Sequence, residues 1–174
     1  MYVRPQLSRR KTGDRTILRA EHIQDLNVGQ SIISEGVAIE RDMQKLEEMV
    51  HSIQINERLS EQDRERLLEP LTQTLNNLRS DYGRQVEQVL DNVVDSMEER
   101  VIEMESASRD RDKAVSDAEN TIWKTKIVDK EKIVGVAADV ARDHKLLVEQ
   151  SRKDLNVLRQ NAEQQRAAIR KHQK

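Results

Sequence analysis

The chain has 174 residues, of which 36% are charged and 36% apolar, with aromatics at 2% and no Phe. A thick globular core leans on aromatics for buried area, so this composition excludes one and leaves thin aliphatic stripes as the available core. Leu, Ile and Val together make about a quarter of the chain and the net charge is only −2, which argues against disorder. The absence of Cys removes disulfides, thiol catalysis and thiolate metal sites. Charge is uneven: residues 1–20 carry +5, residues 159–174 carry +4, and the stretch between carries −11.

In chain order, residues 1–30 read as a basic, flexible N-terminal arm. Pro5 and Gly13 break its first half, a short helix is possible over 16–30, and Asn27 to Gly29 looks like a break. Nothing here forms a secretory signal, and no apolar run reaches the roughly 18 residues of a membrane span, so the expected location is cytoplasmic. From 31 to 58, Ile32, Ile39, Leu46 and Ile53 recur every seven residues, with Gly36, Met43 and Val50 four residues after the first three. This is the seam of an amphipathic helix; Gly36 within it implies either a closely packed neighbouring helix, the preferred reading, or a later start of the helix.

Ser60 with Asp63 three residues later reads as the N-cap of the next helix. Pro70 then implies a kink or a delayed start. Leu71, Leu75, Leu78, Tyr82, Val86, Val89, Val93, Met97, Val101 and Met104 follow at spacings of three and four, close to an eleven-residue repeat. A third stripe, Ala137, Ala141, His144, Val148, Ser151, Leu155, Leu158, Ala162, Gln165 and Ile169, alternates by four and three throughout. Its phase extends backward through Ile127 to Trp123.

Two segments are ambiguous. Residues 106–120, SASRDRDKAVSDAEN, lack large apolar side chains and hold Ser and Asp, which favour turns. The preferred reading is a hairpin near 105–117; the alternative is one helix from 61 to 172 in an oligomer. Residues 121–136, rich in β-branched side chains, read as helix in phase with its neighbours, with a strand hairpin as the alternative. The expected fold is therefore all-α. It is an elongated antiparallel helical bundle or coiled coil over 31–172, with helices at about 31–58, 61–105 and 118–172 and a protruding two-helix hairpin arm.

No catalytic, cofactor or metal motif is present. His22, His51, His144 and His172 lie far apart, and Glu98, Glu99, Glu103 and Glu105 flank a stripe without occupying it. His144, on the seam, reads as an interhelical histidine. The expected function is a non-enzymatic scaffold or adaptor that binds protein partners, or itself, through coiled-coil surfaces, without a cofactor or small-molecule substrate. Candidate contact residues are Trp123, Arg9, Arg10, Lys11, Arg170 and Lys171, although Trp123 by phase belongs between helices. A second expectation is that the basic ends bind an anionic partner, nucleic acid or membrane; the near absence of aromatic platforms weighs against nucleic acid. A third is a secretion-linked role by a non-classical route. The chain is similar in overall plan to the low-cysteine helical hairpins of the type VII secretion class. Those carry a Trp-x-Gly turn, whereas Trp123 is followed here by Lys124 and Thr125, so no residue carries over.

Overall fold

In the computed structural model, residues 15–124 and 129–172 are described. They form α1 (Arg15–Gln54), α2 (Glu61–Asp81), a π-helical stretch (Tyr82–Glu87), α3 (Gln88–Trp123) and α4 (Lys130–Lys171). α2, the π stretch and α3 join without a break, so the fold is an all-α bundle of three long helices. No strand occurs among the described residues.

The contacts divide the chain into two compact units. Among the described residues, one comprises 15–26, 94–124 and 129–157, and the other 27–93 and 158–172. In the first, Arg152 reaches Glu98 and Glu105, and Ser151 reaches Met104, so α3 and α4 run antiparallel. Arg19 of α1 meets Ser151 and Asp154 of α4, and Arg100 of α3 meets Glu21 and Asp25 of α1. Within the second unit Gln165 donates to the Ile33 carbonyl (2.6 Å) and His172 meets Glu40 and Glu47, so α1 and α4 run parallel there. The Arg79 guanidinium lies 4.0 Å from Glu47.

The aliphatic stripes are the core. Tyr82, Val86, Val93, Met97, Val101 and Met104 are buried on the long central helix, as are Val148, Leu155, Leu158, Ala162 and Ile169 on α4. At helical pitch these side chains stack on one face and exclude water from a narrow seam. The consecutive four-residue steps from Leu78 to Tyr82 to Val86 coincide with the π stretch, where the Gln88 amide reaches the Gly83 carbonyl. That wider turn keeps Tyr82 and Val86 on the buried face. Burial, reinforced by Glu87, pushes the Tyr82 hydroxyl above its ordinary pKa, so it stays protonated.

Ser60 caps α2 by accepting from the Asp63 amide (3.2 Å). The start is not delayed by Pro70, which sits exposed inside α2. Gly36 is buried against Gln165: a Cβ there would overlap the Gln165 side-chain amide, so this glycine permits the close approach that one reading of its seam position implies.

Three expectations are corrected. α1 begins at Arg15 and runs through Asn27–Gly29, so 15–30 is not an arm. Its early seam is Leu18, His22, Asp25, Gly29 and Ile32, all buried at spacings of four and three. Too few of these are apolar to register as a stripe. Second, no turn falls at 105–117, because α3 continues to Trp123. The seam passes from Met104 to Ser108, Arg111, Val115 and Ile122 with smaller or polar side chains, buried or half-buried. Ser and Asp weaken a helix only slightly, and a packed neighbour overrides that preference. Third, the reversal comes after Trp123. Lys124 closes a turn onto the Thr121 carbonyl, and Asp129 takes φ 64° and accepts from the Ile133 amide at the head of α4. Asp tolerates this left-handed backbone, which a β-branched residue would not. The helix and strand readings of 125–128 lie outside the described residues.

Candidate functional site

Two features of the first unit merit attention: a buried polar cluster and an uncovered helical face. The cluster comes from the polar seam of α1. Arg100 is 4% exposed; its guanidinium pairs with Asp25, its Nε lies 3.3 Å from Glu21 Oε2, and it donates to the Glu21 carbonyl (3.2 Å). Beside it, Arg19 donates to Ser151 Oγ (2.7 Å) and Asp154 Oδ2 (3.1 Å). His22 is fully buried, with Nε2 3.5 Å from Asp154 Oδ2, too far for a good hydrogen bond. Burial, and then the positive charge of Arg19, lower the His22 pKa below 6.5, while Asp154 pulls the other way. The imidazole is thus held neutral, among charges that already compensate one another.

Chemically this cluster is a set of pairing contacts. Each cation of α1 or α3 meets a carboxylate on a different helix, and a slip of one residue along either helix would bury charges unpaired, at a cost of several kcal/mol. A polar cluster of this kind therefore fixes register. Sequence reading missed it because the seam search followed aliphatic side chains. Stepping back from Ile32 by three and four would have reached Gly29, Asp25, His22 and Leu18. Among the described residues, no group of three or more His, Asp or Glu is placed to hold a metal. No helix among them is long and apolar enough to cross a membrane.

The second feature follows from where α1 begins. Its residues 19–25 touch Ser151 and Asp154 of α4 and Arg100 of α3. On α4, stepping back from Ser151 by four and three gives Leu147, His144, Val140, Ala137 and Ile133. On α3, stepping forward from Arg100 by the same rhythm gives Met104, Ala107, Arg111, Ala114 and Ala118. The face that α1 covers therefore continues toward the turn. Arg111, Ala114, Val115, Ala118, Ala137, Val140 and Ala141 line a groove there. Val140, 48% exposed, stands on its α4 wall. The opposite side of the helix pair is charged, with Glu105, Arg109, Asp112, Lys145, Glu149 and Arg152 around a second groove.

Of the contact candidates, Trp123 is 52% exposed at the end of α3 and is not packed between helices. Its seam phase runs back from α4, but α3 ends at Trp123 and α4 starts at Lys130, so the phase does not carry across. Ile122 holds the seam position of α3, and Trp123, one residue on, points about 100° away. Arg170 and Lys171 are exposed in the last turn of α4. Their neighbour Arg166 is tied to Asp91, Glu87 and Glu163, which consumes part of the basic character of this end. Arg9, Arg10 and Lys11 lie outside the described residues. His144 is buried on the seam, and Glu98 and Glu105 pair with Arg152. Arg152 is half-buried, and its hydrogen bonds to Glu105 and Glu98 hold its pKa above the ordinary arginine value.

No family model matches the chain, and neither a curated protein nor a solved structure does.

Proposed function

We infer that the chain is a non-enzymatic helical interaction protein, and that it receives a helix of a protein partner on the α3–α4 face beyond the start of α1. One observation carries this reading. Among the described residues, a single continuous face of α3 and α4 is covered by a third helix over part of its length and left open over the rest, with Val140 about half exposed. Fully burying an exposed Val is worth about 1.5–3 kcal/mol, and about half of that is still to be gained at Val140, so an added helix has a driving force. The non-enzymatic part is supported by the half-buried Arg19 and the buried Arg100, whose charges are taken up by carboxylates of a neighbouring helix. A photo-crosslinking residue placed at Val140, in cells that make the protein, tests the reading. Adducts should form at Val140 and not at Leu146, which is 57% exposed and about 120° further round α4. Equal adduct yields at the two positions, or none at Val140, would refute it.

A further inference from the structure

We propose that residues 15–26 of α1 are an acid-released latch on the α3–α4 pair, with His22 as the group whose protonation favours the open form. The first support is what holds the segment down. Leu18 is the one buried apolar side chain among residues 17–25, while Ile17 and Ile23 are exposed. The attachment is otherwise polar, through Arg19 to Ser151 and Asp154 of α4 and through Arg100 of α3 to Glu21 and Asp25. Met97, Val101 and Met104 of α3 and Val148 and Leu155 of α4 are, by contrast, buried and apolar. A segment with little apolar burial opens locally at lower cost than such a seam. α3 and α4 also meet each other directly, Arg152 with Glu98 and Glu105 and Ser151 with Met104, so they stay paired when the segment leaves. The latch does not depend on a partner docking further along α3 and α4.

The second support is the setting of His22. It is fully buried on the seam, four residues after Leu18 and three before Asp25, and neither ring nitrogen has a hydrogen-bond partner. Asp154 Oδ2, 3.5 Å away, already accepts from Arg19 (3.1 Å), and Asp154 Oδ1 accepts from Gln150 (2.9 Å). The charged groups around the ring are thus Arg19 on its own helix, Arg100 on α3 and Asp154 on α4, with Glu21 and Asp25 held on Arg100. A proton on this imidazole adds a third cation whose counter-ions are already engaged, in a site closed to water. Opened to water, His22 takes its proton near pH 6.5. Closed, burial and then Arg19 hold it neutral to lower pH. The open form therefore binds more protons, and acid favours it by at most about tenfold per pH unit below 6.5, until the closed form also takes up the proton.

The test is amide hydrogen exchange of the full chain at pH 7 and pH 5, each rate corrected for the intrinsic pH dependence of exchange. Protection over 17–25 should lie at least about tenfold below that over 97–104 at both pH values, because the segment opens without the seam. From pH 7 to pH 5 it should fall by at least about threefold, against a ceiling of about 25-fold set by the linkage. His22→Gln and His22→Leu should each remove most of that fall; the Leu variant leaves no polar atom unpaired should Gln weaken the fold. His51→Gln, at an exposed position of α1, should keep it. Equal protection over 17–25 and 97–104 would overturn the latch, because the opening is then that of the whole fold. Protection over 17–25 that does not fall with acid would also overturn it, as would a fall that persists in either His22 variant.

Discussion

His22 shows how a seam can be built from a titratable group. It is fully buried on α1, with Arg19, Arg100 and Asp154 as its charged neighbours and Glu21 and Asp25 held on Arg100. Its folded-state pKa lies below 6.5, chiefly through burial. In the unfolded chain it takes a proton near its ordinary value of about 6.5. Below that pH the unfolded state binds more protons than the native state, so stability falls as pH drops from about 6.5 toward the folded pKa, and His22 adds no slope above that window. Urea unfolding at a series of pH values should show this decline in the native sequence and a flatter one in His22→Gln. An identical slope in both would show that His22 is not held neutral. Nothing in the sequence around His22 announces burial; only its phase with Ile32 does, and phase without apolar side chains is a weak signal.

The same weakness misplaced the turn. The third stripe was legible on α4 because most of its positions are aliphatic and the rest sit in an unbroken rhythm. Through 106–120 the rhythm also holds, but it is carried by Ser108, Arg111, Val115 and Ala118. Turn-forming Ser and Asp stood out more than the phase did. The actual reversal needs Asp129 at positive φ, which local composition does not distinguish from a helical Asp-Lys pair. Helix continuity has a direct consequence. Asp110 is exposed in the middle of α3, so Asp110→Pro removes a backbone hydrogen bond and clashes with the Ser106 carbonyl. It should cost about 3 kcal/mol or more in denaturant unfolding, whereas Asp110→Ala should change stability by under about 0.5 kcal/mol. A proline tolerated there as in a loop would contradict a continuous α3.

For the molecule as a whole, the fold class followed from composition and the periods of three and four, because a chain poor in aromatics and rich in aliphatic stripes can bury itself only helix on helix. The candidate face was less legible. It depends on where α1 begins relative to α3 and α4, which is a matter of register between segments far apart in sequence. The buried arginines and carboxylates that set this register read in sequence as solvated charge. α3 divides in two. Val93, Met97, Val101 and Met104 are fully buried, whereas over 109–121 only Arg111 and Val115 are even half-buried. Hydrogen–deuterium exchange of the dilute full chain, resolved amide by amide, measures this division directly. The prediction is helical protection through 109–121, with exchange at least about tenfold faster there than over 93–104, because opening a two-helix stretch exposes less buried surface. Equal protection over both stretches would mean that the face is already covered within a single chain, and no protection over 109–121 would mean that α3 ends before it; either result contradicts the account.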